Sequence, residues 1–196
     1  MKGRYGVRKK NKKAVVLSIL AVVAAVLIAG TAGVFALCQS WLQDLPDYTN
    51  VDEFNVAKPS TVYASDRTTV LAEFQLENRT PVEYDQVSEL VLKGTVATED
   101  ERFYDHGARA VVNNLLGGEL EGASTITQQF VRNTILSDEM TDISFKRKIR
   151  EMYIALKLEE QYSKDEILLM YLNTINYGSG AYGIEAASER YFSKHA

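Results

Sequence analysis

Hydrophobic positions fall into three regimes along the chain. From Ala14 to Leu37 they are continuous, interrupted only by Ser18, Thr31 and two glycines. About 20 such residues cross ~30 Å of hydrocarbon as a helix, so a transmembrane helix is predicted over 14–37. Further on, Thr61–Ala64 and Thr69–Phe74 are short β-prone runs on either side of Ser65-Asp66-Arg67-Thr68. They predict a small hairpin, with a third short strand near Arg79–Glu83. From Asp85 the period becomes helical. Ser88–Lys93 leads through Val96 to Glu99 and Phe103, and Gly107 is expected to end that helix. Ser124 stands where an N-cap is wanted for a helix over Thr125–Leu136. In Ser144–Tyr162, Ile149, Met152, Tyr153 and Leu156 recur at i, i+3, i+4 and i+7. Ser163-Lys164-Asp165-Glu166 is a capping box that opens the next helix, through Ile167 to Leu172. Asn176–Gly180 breaks it, and Ala181–Phe192 is predicted as a last helix with small residues at Ala186, Ala187 and Ser188. The predicted fold class is mainly α with a small β element, preceded by one N-terminal transmembrane helix.

Charge fixes the sense of the apolar segment. Met1–Lys13 carries Lys2, Arg4, Arg8, Lys9, Lys10, Lys12 and Lys13 and no acid, in a chain of net charge −4. The remainder holds 15 cations against 26 acids, a poor surface for nucleic acid, which needs basic patches for its phosphates. Cations before the apolar stretch put the N-terminus in the cytoplasm and the rest outside. The stretch is too long for the apolar region of a cleaved signal peptide. The expected organisation is a cytoplasmic basic segment (1–13), a signal-anchor helix (14–37), a juxtamembrane linker with the β element (38–84) and a mainly helical domain (85–196). Trp41 suits an interface anchor. Cys38 is the single cysteine, so no intrachain disulfide is possible, and with only His106 and His195 besides, no zinc-site spacing exists.

Candidate chemistry lies in three stretches. Glu99-Asp100-Glu101 is followed by Phe103-Tyr104, His106 and Gly107. Alone, an acidic triplet is a solvated helix face. Gly122–Gln129 places a glycine and hydroxyls before a helix start, where free N–H groups and the macrodipole favour an anion. Gln128, Gln129 and Arg132 add donors, although an ordinary capped helix reads the same way. In Lys146–Glu151, Arg147 and Lys148 lie four and three residues before Glu151 on one helix. A carboxylate among cations stays ionised, and a solvated salt-bridge ladder is the plainer account.

Taken together and in this order, the stretches resemble the peptidoglycan glycosyltransferase domain of class A penicillin-binding proteins and their monofunctional relatives. The first motif, E-D-x-x-F-x-x-H, is Glu99–His106. The second, G-x-S-T-x-T-Q-Q, is Gly122–Gln129, and the third, R-K-x-x-E, is Arg147–Glu151. A fourth, Y-L-N-x-x-x-Y-G, is Tyr171–Gly178, and Gly183–Ala187 with Tyr191-Phe192 is similar to the start of a fifth.

The resemblance implies a lysozyme-like helical fold that polymerises lipid II into β-1,4 glycan strands. The donor sugar inverts and a polyprenyl pyrophosphate is released. It implies Glu99 as general base and Glu151 as a second catalytic carboxylate. Ser124, Thr125, Gln128, Gln129, Arg132, Arg147 and Lys148 would bind the donor pyrophosphate or sugar, supported by Asp100, Phe103, His106, Tyr171 and Asn173. Glu101 falls at a variable position. No cofactor is required. A divalent cation, Mg or Mn, could assist the pyrophosphate, with no dedicated metal cage in the sequence. Expected partners are lipid II, the growing glycan strand, the bilayer and cell-wall synthesis or division proteins. Two departures stand out. Gly107 runs directly into Ala108-Arg109-Ala110 where the family pattern has a longer stretch, and the domain is expected to be C-terminally incomplete. No Ser-x-x-Lys is present, so penicillin-binding chemistry is not expected of this chain. Two rival readings remain: a catalytically impaired glycan- or lipid II-binding module, and a lysozyme-like glycan-cleaving enzyme.

Overall fold

A computed structural model describes residues 12–51, 60–74, 78–105 and 124–196 of the chain. The chain divides into two compact units, Met1–Asp44 and Leu45–Ala196.

The first unit holds α1, Lys12–Trp41. Its Val15–Trp41 portion, 27 residues, is long and apolar enough to cross a membrane by length and composition. Leu17, Leu27, Ile28 and Phe35 on it are exposed. The Thr31 hydroxyl is satisfied within the helix, donating to the Leu27 and Ile28 carbonyls at 3.0 and 2.9 Å. The helix continues past the predicted end at Leu37, because nothing from Cys38 to Trp41 interrupts it.

The second unit begins with the predicted hairpin. Strands β1 (Ser60–Tyr63) and β2 (Val70–Phe74) pair antiparallel. Asp66 organises the turn: its carboxylate accepts the Thr68 and Thr69 N–H groups, both at 2.9 Å, and the Thr69 hydroxyl at 2.6 Å. The Thr69 hydroxyl and then these amides hold its pKa down at about 2. A depressed carboxylate favours the folded turn above the ordinary Asp range and loses that effect as pH falls toward 2.

The third strand differs from expectation. It is β3, Asn78–Arg79, and it pairs in parallel with β4, Ala181–Tyr182, rather than extending the hairpin. Residues 181–182 are therefore strand where a helix was expected, and the last helix, α6, spans only Ile184–Phe192. Gly183 is the reason for the late start. It caps α6 at φ +83°, and a Cβ there would lie 2.8 Å from the Asn173 carbonyl oxygen. Both the left-handed backbone and the close approach call for glycine. Gly183→Ala is expected to destabilise the domain by about 1–3 kcal/mol, read as a lower midpoint in thermal denaturation.

The remaining elements are a 3-10 turn (Tyr84–Gln86), α2 (Glu89–Glu99), α3 (Ile126–Asn133), a 3-10 turn (Ser137–Glu139), α4 (Phe145–Gln161) and α5 (Lys164–Thr174). Helix α3 packs against both α4 and α5. Its Ile126, Phe130 and Val131 meet a core that includes Ile154 and Leu158 of α4 and Ile167, Leu168 and Leu172 of α5, all essentially buried. The capping box opens α5 as predicted, with the Ser163 hydroxyl and Glu166 carboxylate serving each other's backbone N–H groups. Helix α2 stops at Glu99, short of the expected Gly107. Asp100 adopts φ −161° and the chain turns through Glu101–Asp105. The turn carries Phe103 into the core, where it is fully buried. Gly107 itself lies outside the described residues, as does the junction with Ala108.

Candidate active site

The site grows from the end of α2 and the start of α3. Glu99 is the last residue of α2 and is half-buried. Its Oε2 accepts a hydrogen bond from Gln129 Nε2 at 3.0 Å. The same amide group donates to the Ser124 carbonyl at 3.3 Å, and Gln129 Oε1 accepts from the Tyr171 hydroxyl at 3.3 Å. The Glu99 carboxylate and the Ser124 carbonyl can only accept, so they fix the amide orientation and leave its oxygen for the Tyr171 hydroxyl. Asp100, the next residue, caps the opposing helix: its Oδ2 accepts the Ile126 N–H at 3.2 Å. One of the free donors of α3 is thereby satisfied, and two adjacent carboxylates take separate tasks.

Two tyrosines sense the Glu99 charge. Burial first, and then the Glu99 carboxylate, raises Tyr177 to about 12. Tyr171 is raised for the same two leading reasons. Both phenols stay protonated at neutral pH and remain available as donors.

Thr125, not Ser124, is the N-cap of α3; its hydroxyl accepts the Gln128 N–H at 3.2 Å. That frees the Ser124 side chain, whose Oγ meets Arg132 at 3.3 Å and Lys148 Nζ at 3.2 Å. Lys148 also donates to Gln128 Oε1 at 3.1 Å and to Glu151 Oε1 at 2.8 Å. Arg147 takes the other oxygen of Glu151 at 2.8 Å. The Glu151 side chain is wholly buried, whereas those of Arg147 and Lys148 are 13% and 34% exposed. The carboxylate thus anchors two cations whose outer surfaces reach solvent. Arg147 is further held by the Asp142 carbonyl, which its Nε meets, and by the Ser144 hydroxyl, which caps its N–H at 3.2 Å. The Gln128 Nε2 is buried with no hydrogen-bond partner among the described residues.

The structure therefore brings together Glu99, Asp100, Gln129 and Tyr171 in one set, and Ser124, Gln128, Arg132, Arg147, Lys148 and Glu151 in another, with Ser124 and Gln129 joining them. His106 lies outside the described residues. Asn173 does other work: its side-chain amide brackets Val82, donating to its carbonyl at 2.9 Å and accepting its N–H at 3.1 Å. It latches the segment before α2 onto α5. Asn173→Ala leaves both Val82 backbone groups unpaired and is expected to cost about 1–3 kcal/mol, measurable by chemical denaturation. Sequence reasoning gave no role to Tyr177, whose phenol the Glu99 charge raises, or to the Asp142–Ser144 support of Arg147. The fourth motif, which contains Tyr177, signals the first, and a Ser-preceded helix start signals the second.

Fold and site together define a mainly helical enzyme domain in which a carboxylate stands beside a cation-lined cradle suited to an anion. Comparison with known proteins agrees. The sequence profile of the family described as Transglycosylase matches residues 67–196. Penicillin-binding protein 2D of Bacillus subtilis (strain 168) is 42% identical over 157 residues, covering 76% of this chain and 22% of that protein. Penicillin-binding protein 1A of Escherichia coli (strain K12) is 39% identical over 176 residues, covering 86% of this chain and 20% of that protein. Penicillin-binding protein 1A of Mycobacterium tuberculosis (strain ATCC 25618 / H37Rv) is 44% identical over 144 residues, covering 69% and 18%. The chain belongs to the transglycosylase family, the glycosyltransferase domain found in class A penicillin-binding proteins. It spans about a fifth of the length of these relatives.

Proposed function

We propose that this domain polymerises lipid II into β-1,4 glycan strands, with Glu99 as general base. The observation that carries the reading is the division of labour between two neighbouring residues of α3. Gln129 reaches the Glu99 carboxylate and Gln128 reaches Lys148, so one helix start links a base to a cation cradle. A sugar hydroxyl is a poor nucleophile at neutral pH, and a positioned carboxylate accepts its proton as the new bond forms. The acceptor 4-hydroxyl attacks C1 of the donor sugar from the face opposite the leaving group, which inverts that carbon. The C1–O bond breaks and the electron pair leaves on the polyprenyl pyrophosphate. Negative charge developing there is met by Arg132, Arg147, Lys148 and the Ser124 hydroxyl, groups already held in place before reaction. Glu151 keeps Arg147 and Lys148 aimed, and Thr125 keeps α3 capped beside them.

Mg or Mn is not needed in this account. Among the described residues, the groups gathered at the donor end are three cations, the Gln128 amide, the Ser124 hydroxyl and one carboxylate already committed to two cations. A divalent ion prefers several oxygen ligands, so the donor set does not fit a protein-held metal, and no step runs through one. A hydrolase would instead want an acid carboxyl with a raised pKa and no grip on phosphate. In the same reading α1 anchors the chain, with the basic segment cytoplasmic and the catalytic domain outside, where the lipid-linked donor, the growing strand and cell-wall synthesis or division proteins are met.

The test is incubation of the full chain in detergent micelles with labelled lipid II. The expected product is a ladder of glycan strands that a muramidase digests. Shortening of added glycan without any polymer would overturn the proposal in favour of a cleaving enzyme, and lipid II binding without polymer would overturn it in favour of a binding module.

A further inference from the structure

The turn that follows Glu99 is gripped from below by two consecutive residues, Lys164 and Asp165, at the start of α5. Lys164 Nζ lies 4.5 Å from the centre of the Phe103 ring, over its face. It also pairs with Glu159 Oε1 at 3.0 Å, and that oxygen accepts the Thr127 hydroxyl at 2.7 Å. The Glu159 side chain is 2% exposed and that of Lys164 is 20% exposed. Asp165 Oδ1 accepts the hydroxyls of Tyr104 at 2.9 Å and Tyr84 at 3.1 Å. Phe103 and Tyr104 pack edge to face at 5.3 Å. One end of α5 therefore holds both aromatic residues of the turn, and through Glu159 it holds Thr127 on α3, the helix that carries Gln129.

The pair is expensive for what it does locally. A cation in the first turn of a helix opposes the macrodipole, and a buried ion pair seldom adds net stability over apolar residues of the same shape. Thr127, Phe103, Glu159 and Lys164 come from four separate segments, which this cluster ties together, and two of them, the 100–105 turn and α3, adjoin Glu99 and Gln129 in the chain. We propose that Lys164 and Asp165 are positioning residues for glycosyl transfer: they fix the 100–105 turn against α3 and so set where the Glu99 carboxylate stands. The inference rests on the proposed role of Glu99. Displacement of a reacting group by about 1 Å costs on the order of 100-fold in rate, so loosening this turn lowers kcat and leaves the donor cradle, and hence KM, unaffected.

The single variant Lys164→Met strands a buried carboxylate and risks misfolding. The variant to use pairs it with Glu159→Gln, which keeps an acceptor for Thr127 and removes both charges. Asp165→Ala, which releases the two phenols, is the second variant. Each is measured in the full chain in micelles, by amide hydrogen exchange and by lipid II polymerisation. The expected result is faster exchange at the Phe103 and Asp105 amides, with α5 still protected. With it comes a fall in kcat of roughly 10-fold or more at a KM within about twofold of wild type, and Lys164→Arg restores both. Unchanged exchange in the turn overturns the proposal, whatever the rate does. Faster exchange with unchanged kcat in an active wild-type background overturns it too. If the wild-type chain makes no polymer, the exchange measurement still decides whether α5 holds the turn, while the failure falls on the proposed function alone.

Discussion

Glu99→Gln is expected to lower lipid II polymerisation by at least about 100-fold, within the range that a positioned base contributes, while the domain stays folded. Glutamine has the shape of glutamate and its Oε1 can still accept the Gln129 Nε2 donor that Glu99 accepts now at 3.0 Å. Glu99 is half-buried. The properties lost are the negative charge and, with it, the capacity to take a proton. Circular dichroism and the thermal midpoint check the fold; the polymerisation rate checks the chemistry. A drop in rate that comes with a collapsed thermal midpoint would point to a structural role for Glu99 instead.

Glu151→Ala is expected to have the opposite profile, harming both fold and function. The carboxylate is wholly buried and each oxygen holds one cation at 2.8 Å. Removing it leaves Arg147 and Lys148 facing each other with nothing between them. Breaking one side of a buried charge network costs about 3–5 kcal/mol, a large share of the stability of any domain of this size. Lys148 loses its strongest partner and Arg147 its inner anchor, so the donor cradle loosens as well. The measurement is a denaturant titration beside an affinity for the phosphate donor. Glu151→Gln, which keeps the shape and two polar atoms, is expected to fall between wild type and alanine on both. Equal stability of Glu151→Ala and wild type would contradict the structural half of this account.

What the sequence carried about the fold depended on how local the cause was. Caps and periodicity are local, so the α4 stripe, the α5 capping box and the Asp66 hairpin were legible from residues within one or two turns of each other. The end of α2 was not. Helical period continues from Val96 to Phe103, yet Asp100 turns the chain because its carboxylate finds the Ile126 N–H, a partner 26 residues away. The strand at Ala181–Tyr182 was hidden for the same reason. Its pairing partner, Asn78–Arg79, lies a hundred residues upstream, and its termination depends on Gly183 meeting the Asn173 backbone. The site was legible in its membership and not in its division of labour. Motif order alone grouped Glu99, Ser124, Gln128, Gln129, Arg132, Arg147, Lys148 and Glu151. That Thr125 caps α3 and thereby frees Ser124 for two cations, or that the Asn173 amide holds Val82, follows only from three-dimensional contacts. Tyr177 stood in the fourth motif, and that the Glu99 charge acts on its phenol follows only from the fold.

The central claim is that Glu99 takes the acceptor's proton in a transfer from a pyrophosphate donor. Its most direct test is the initial rate at which polyprenyl pyrophosphate is released from lipid II, measured side by side for the wild-type chain and Glu99→Gln at matched lipid II occupancy. The account predicts steady release by wild type and, from the variant, lipid II binding with release reduced at least about 100-fold. Release by the variant at the wild-type rate would contradict it.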